Sequence, residues 1–168
     1  EPASVGEDRD RVPGERRVRE DIRDHVTEGA HATILPAVQL YLVRHAEAAD
    51  GEPDELRPLT AEGRRAAREL GERLAADGVR PDAVLTSPLL RARETGAELA
   101  RAAGVEAEAD ERLAPGATPE NVKAAASERG ETVVVIGHQP DCGRIAAALT
   151  GGEEPPFPPA GVLAIDLA

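Results

Sequence analysis

The stretch Val38-Gln39-Leu40-Tyr41-Leu42-Val43-Arg44-His45-Ala46-Glu47 decides the fold of this chain. Its first six residues are nearly all apolar, and several are β-branched or aromatic, which is typical of a strand buried on both faces of a parallel sheet. A guanidinium and an imidazole follow directly. Because open α/β sheets bind ligands beyond the carboxyl ends of their strands, this position favours Arg44 and His45 for chemistry on an anion. The alternative is that both side chains cap the strand and face water.

Strand-like and helix-like segments alternate along the rest of the globular part. Apolar patterning predicts strands over residues 38–43, 82–86, 105–109, 132–136 and 162–167, and helices over 61–77, 88–103, 119–128 and 140–149. Thr60 and Thr118 stand at helix starts as caps, and Pro88 and Pro119 stand at first helical positions. The strand at 132–136 is β-branched almost throughout and should be central. This order predicts an α/β fold, a three-layer α/β/α sandwich with a mostly parallel central sheet.

Size and charge narrow the class of protein. The chain has 168 residues, enough for one sizeable core, and a formal net charge of −12. A nucleic-acid partner or an anionic membrane surface would need a concentrated basic face, and none is present in the sequence. No apolar run is long enough to span a membrane. Cys142 is the sole cysteine, which excludes an internal disulfide and favours a reducing, cytoplasmic location.

Residues 1–36 differ from the remainder and are predicted to form a charged N-terminal extension to a domain at 37–168. Val18, Ile22 and Val26 recur every four residues and indicate one narrow helical stripe. The extension is either a docked surface helix, which we favour, or a mobile tail. His25 and His31 lie within it and are interpreted as solvated side chains.

Cationic side chains follow several of the predicted strands. The first strand is followed by Arg44 and His45, and the central one by His138. If these strands are neighbours, two imidazoles meet in one crevice. Arg91 follows the strand at 82–86, and Arg57 lies in the loop after the first strand. Guanidinium groups suit phosphate oxygens, and no cysteine or aspartate pattern suggests a zinc site.

Four segments together resemble the histidine phosphatase superfamily. They are Val43-Arg44-His45-Ala46-Glu47-Ala48, Arg57-Pro58-Leu59-Thr60 with Gly63, Ser87-Pro88-Leu89-Leu90-Arg91-Ala92 with Thr95, and Gly137-His138-Gln139-Pro140. Their order and rough spacing match that family over residues 38–168, and the short loops are most similar to its SixA-type phosphohistidine phosphatase branch.

The resemblance implies catalytic roles for four residues. His45 would be the nucleophile that forms a phosphohistidine enzyme, and Arg44, Arg91 and His138 would clamp the non-bridging oxygens. For the attack, His45 must be neutral, with its other nitrogen donating to a fixed acceptor such as a backbone carbonyl. His138 is expected to work best protonated, as a further cation.

Other roles stay open. Arg57 either contacts phosphate or packs its loop, and Ser87 either binds phosphate or caps the helix at Pro88. Glu47 either orients Arg44 or His138 or is a solvated loop acid. Ala46 stands where the family often has glycine and should avoid positive φ. Gln139 stands where asparagine is often found, which leaves any side-chain contact there open.

The general acid is the least defined residue of the predicted catalytic site. Glu111 is the candidate, with Asp110 and Asp141 behind it. The alternative, which we favour, is that these acidic residues are only the exposed charges of a strand and its loop. A phosphohistidine substrate has an imidazole leaving group, far less basic than an alkoxide, so that a dedicated acid is less necessary.

These observations predict a phosphatase that uses neither a metal nor a cofactor and acts on phosphohistidine in a partner protein. The alternative enzyme is a small-molecule phosphomonoesterase of the same superfamily. The non-enzymatic alternative is a phosphate-binding module that has lost turnover, and the presence of both His45 and His138 argues against it.

Overall fold

The computed structural model describes residues 37–167. The predicted helix and the two histidines of residues 1–36 lie outside the described residues, and the boundary near residue 36 stays a prediction.

Strands and helices alternate as expected. The strands are β1 (Val38–Arg44), β2 (Ala83–Thr86), β3 (Ala107–Ala109), β4 (Thr132–Gly137) and β5 (Val162–Leu167). The helices are α1 (Ala61–Ala76), α2 (Leu90–Ala103), α3 (Pro119–Ala126) and α4 (Asp141–Thr150). Two short 3₁₀ turns, Asp54–Leu56 and Glu111–Leu113, lie in the loops after β1 and β3.

The strand order is β3-β2-β4-β1-β5, which confirms β4 as the central strand. All neighbouring pairs are parallel except β1 and β5, and the predicted three-layer fold with a mostly parallel sheet is confirmed. Arg44 pairs with Gly137, and Thr86 pairs with Ile136, so that β1, β4 and β2 end level with one another. This register gathers the residues that follow three strands.

Apolar side chains cover both faces of the sheet, because successive strand residues point to opposite sides. On one face Leu42, Val133 and Val135 pack in a core with residues of α3 and α4. On the other face Val43, Val134 and Ile136 pack in a core with residues of α1 and α2. The helices therefore hold the sheet from both sides.

Element boundaries follow local hydrogen bonds, and two helix boundaries and one strand boundary differ from the prediction. Thr60 and Thr118 cap α1 and α3 as predicted. Helix α2 begins at Leu90, because Leu89 is still extended and is the N-cap, so Pro88 as a first helical position is wrong. Strand β3 is shortened at its start, because the Val105 amide donates to Ala100 O at the end of α2. Helix α3 ends at Ala126, two residues before the positive φ of 65° at Glu128.

Within residues 37–167, no helix has both the length and the apolar character needed to cross a membrane.

Candidate active site

The level strand ends bring His45 and His138 together. The His45 amide donates to Gly137 O at 3.0 Å, which continues the β1–β4 ladder one residue beyond β1. The two imidazole rings lie with their centroids 5.2 Å apart. The prediction that neighbouring strand ends bring these two imidazoles together is therefore confirmed.

His45 is held in the form that a nucleophile requires. Its Nδ1 lies 2.7 Å from Ala46 O, and because a carbonyl only accepts, Nδ1 carries the proton and Nε2 keeps its lone pair. Burial lowers the pKa of His45, and the nearby charges of Arg91, Arg44 and Arg57 lower it further against the raising effect of the Ala46 bond. The ring is therefore neutral at neutral pH, as the proposed attack demands.

The backbone after His45 is tied to helix α2. Ala46 is fully buried, and its amide donates to Thr95 Oγ1 at 3.0 Å. The same hydroxyl donates to Arg91 O at 2.7 Å. Ala46 is absent from the positive-φ residues of the described chain, in agreement with the expectation for alanine. Thr95 thus couples the position of His45 to the turn that carries Arg91.

Arg44 and Arg91 place positive charge beside His45. The Arg91 side chain is only 9% exposed; its Nη1 donates to Asp54 O at 2.9 Å and its Nη2 to Asp54 Oδ2 at 3.2 Å. Arg44 Nη1 donates to Phe157 O at 2.9 Å. Arg44 Nε is buried and has no partner among the described residues. Protein oxygens thus fix donor groups of both arginines. Arg44 Nε makes no hydrogen bond to the described residues.

Sequence reasoning missed Asp54. Its carboxylate bridges two arginines, accepting from Arg57 Nη1 at 3.1 Å through Oδ1 and from Arg91 through Oδ2. Hydrogen bonding to Arg57, and then the charge of Arg91, lower the pKa of Asp54. The only signal in the sequence is an acidic residue three positions before Arg57. Arg57 Nε also donates to Ala49 O at 2.8 Å, so Arg57 does pack its loop, and its contact with phosphate stays a prediction.

His138 is buried next to Ser87. Its side chain is 4% exposed, and Nε2 lies 2.7 Å from Ser87 Oγ. Burial, followed by repulsion from His45 and Arg91, lowers the pKa of His138 to about 4. Burial and the neighbouring charges therefore favour a neutral ring, and a protonated His138 beside bound phosphate stays a prediction.

Ser87 lies beside His138 and does not cap a helix that starts at Pro88, because α2 starts at Leu90. Its Oγ accepts from the Leu89 amide at 3.3 Å, one residue before α2 begins. The second contact of this hydroxyl is His138. A contact of Ser87 with phosphate stays a prediction.

Within residues 37–167, none of the candidate acids makes a hydrogen bond to either imidazole. Glu111 is exposed, and within residues 37–167 its side chain makes no hydrogen bond or ion pair. Asp110 pairs with Arg112 at 2.6 Å, and that hydrogen bond lowers the pKa of Asp110. Asp141 accepts from the Gly116 amide at 2.7 Å. Glu111 as a general acid stays a prediction.

Two loop residues have structural partners. The Glu47 carboxylate accepts from the Thr60 hydroxyl at 2.9 Å, and the Glu47 backbone carbonyl accepts from the Thr60 amide at 3.0 Å, so that Glu47 fixes the start of α1. Among the described residues, its carboxylate makes no hydrogen bond to Arg44 or His138. A Cβ on Gly63 would lie 2.1 Å from Glu47 O, which explains the glycine. Gln139 Oε1 accepts from the Gly143 amide at 2.9 Å and so caps the first turn of α4.

The arrangement suits nucleophilic attack on an anion. A neutral imidazole with a free Nε2 lies among guanidinium groups, and phosphoryl transfer needs mainly positioning and charge stabilisation. Within residues 37–167, His, Cys, Asp and Glu side chains form no group of three that could hold a metal ion.

Comparisons with known proteins agree with this geometry. The family model described as "Histidine phosphatase superfamily (branch 1)" matches residues 40–115. An uncharacterized protein of Picosynechococcus is 38% identical over 125 residues, which cover 69% of this chain and 75% of that protein. The phosphohistidine phosphatase SixA of Escherichia coli is 33% identical over 127 residues, covering 71% of this chain and 79% of that protein. A solved structure of the protein histidine phosphatase SixA complexed with tungstate aligns with a TM-score of 0.69 and 30% identity, covering 76% of this chain and 86% of that one.

Proposed function

Because this chain belongs to the histidine phosphatase superfamily, we propose that it removes phosphate from phosphohistidine in a partner protein, without a metal ion. That it is a phosphatase follows from its family and its SixA relatives. The partner-protein substrate, the metal independence and the cytoplasmic location make up the proposal.

One observation carries the mechanism, namely the hydrogen bond from His45 Nδ1 to Ala46 O, which leaves the Nε2 lone pair for the attack. In the first step Nε2 forms a bond to phosphorus, and the bond from phosphorus to the substrate imidazole breaks with its electron pair on the departing nitrogen. In the second step water attacks phosphorus, the bond to His45 Nε2 breaks with its electron pair returning to that nitrogen, and a proton of the water passes to a phosphate oxygen or to solvent. Arg44 and Arg91 would stabilise the charge on the non-bridging oxygens in both steps.

The choice of phosphohistidine rests on the leaving group. An imidazole protonated on its far nitrogen departs as a neutral base with a pKa near 6.5, whereas an alkoxide needs a proton from an acid. Among the described residues, Glu111, Asp110 and Asp141 make no hydrogen bond to either imidazole of the site. A site with this composition favours a phosphoramidate over an unactivated alcohol ester. The name of the Escherichia coli relative, phosphohistidine phosphatase, supports the same substrate class.

The test compares initial rates on a ³²P-labelled phosphohistidine carrier protein and on a panel of sugar and nucleotide phosphates, each with and without EDTA. We expect the phosphohistidine protein to be the best substrate and EDTA to have no effect. Faster hydrolysis of the small phosphoesters would favour the phosphomonoesterase alternative, and loss of activity in EDTA would contradict metal independence.

The nucleophile is tested with His45→Ala. This variant should lose turnover, and quenching the wild-type protein during turnover in alkaline SDS should trap a phosphoenzyme that is stable in base and labile in acid. Arg93→Ala is the control for a surface substitution, because Arg93 is an exposed residue of α2, and it should keep the wild-type rate. Unchanged hydrolysis by His45→Ala would end the mechanism.

A further inference from the structure

Ser87 and His138 form a buried polar pair. Ser87 is fully buried, His138 is 4% exposed, and Ser87 Oγ lies 2.7 Å from His138 Nε2. The two residues follow β2 and β4, which are neighbouring strands that end level with each other. The Ser87 amide is fixed by a hydrogen bond of 3.0 Å to Ile136 O, so the hydroxyl is held in place by the sheet.

The positions of the hydrogens in this pair follow from counting donors and acceptors. Ser87 Oγ already accepts from the Leu89 amide at 3.3 Å. Its own proton needs an acceptor, and among the described residues the acceptor within hydrogen-bond distance is His138 Nε2. If Nε2 carried the imidazole proton instead, the hydroxyl proton of a fully buried serine would have no acceptor there, which costs free energy.

We propose that Ser87 is a positioning residue, which donates its hydroxyl proton to His138 Nε2 and thereby holds the imidazole proton of His138 on Nδ1. Nδ1 is itself buried and has no partner among the described residues. Because no described protein group accepts a hydrogen bond from this N–H, it can donate one to a substrate atom. The ring lies beside His45, with a centroid distance of 5.2 Å.

The chemical consequence is a neutral donor at the position where the sequence predicted a cation. The low pKa of His138, about 4, agrees with a neutral ring. His138 would then donate Nδ1–H to a phosphoryl oxygen, and this last step rests on the proposed function, whereas the tautomer does not. Ser87 would act through His138 without itself touching phosphate.

Nitrogen NMR tests the tautomer directly. Two-bond ¹H–¹⁵N spectra of the full chain labelled with ¹⁵N-histidine, recorded at pH 7, distinguish a protonated ring nitrogen from a bare one. His138→Gln assigns the signals of His138. We expect a protonated Nδ1 and a bare Nε2 in the wild-type protein, with the pattern lost or averaged in Ser87→Ala. His45 should keep its Nδ1–H in both proteins, which also verifies that the variant is folded.

Two results would overturn the proposal. One is a wild-type His138 that carries its proton on Nε2, a result that needs no variant to fold. The other is a folded Ser87→Ala protein with the wild-type tautomer. Ser127→Ala is the matched control, since Ser127 is exposed and follows α3.

Kinetics then separate the tautomer from the function. With phosphohistidine protein as substrate, Ser87→Ala should reduce kcat/KM by about tenfold, by analogy with the residues that orient metal-binding histidines. Ser127→Ala should leave kcat/KM unchanged. If Ser87→Ala alters the tautomer without altering kcat/KM, Ser87 does not position His138 for the reaction. If the wild-type protein hydrolyses no phosphohistidine, the proposed function fails while the tautomer assignment stands on its spectra.

Discussion

Acidification should destabilise this protein through His138, and substitution of that residue should remove the effect. The pKa of His138 is about 4 in the folded protein, against 6.5 for an ordinary histidine. Between these two values the unfolded chain binds a proton that the folded chain does not. The free energy of unfolding therefore falls as the pH falls through this window and is unaffected by His138 above it.

The magnitude follows from the two pKa values. Each pH unit of difference corresponds to about 1.4 kcal/mol, so the full separation is worth about 3 kcal/mol once the pH is below both values. At pH 5 the folded imidazole is still largely neutral, and the loss relative to pH 8 amounts to about 2 kcal/mol.

Urea unfolding at pH 8 and at pH 5 measures this loss for the wild-type protein and for His138→Gln. Glutamine has a similar length, does not titrate and can still hydrogen-bond to Ser87. Other titrating groups contribute to both proteins and largely cancel in the comparison. The wild-type protein should lose about 2 kcal/mol more than the variant between these pH values. Equal losses would refute the argument that burial lowers the pKa of His138.

Three further outcomes test the site and its support. Arg91→Ala should slow hydrolysis of phosphohistidine protein about a hundredfold, the cost of one oxyanion donor, whereas Arg93→Ala should not change the rate. Asp54→Asn should lower the inhibition constant of inorganic phosphate severalfold, because the carboxylate that bridges Arg57 and Arg91 competes with an incoming anion; weaker inhibition would indicate that Asp54 mainly orients the arginines. Gly96→Ala should lower stability by about 1–3 kcal/mol, since its Cβ would lie 2.3 Å from Thr86 Cγ2, and an unchanged melting temperature would contradict this packing.

The sequence by itself determined the fold class and the gathering of the site. Apolar runs of strand length mark β1 and β4, and the side chains of His45 and His138 follow them directly. Because parallel strands end at one edge of a sheet, this local pattern is enough to bring the two imidazoles together. Caps such as Thr60 and Thr118 were equally readable, since their hydrogen bonds span only three residues.

The tertiary structure alone decided the charge states and the partners of the site. Asp54 reaches Arg91 across 37 residues of chain, and Ser87 reaches His138 across 51, so neither contact leaves a local signal. The neutral state of His138 likewise depends on how deeply the ring is buried and which charges face it. Strand and helix patterns are set by neighbours along the chain, whereas ionisation and hydrogen-bond direction are set by groups that only the packed structure brings within a few ångströms.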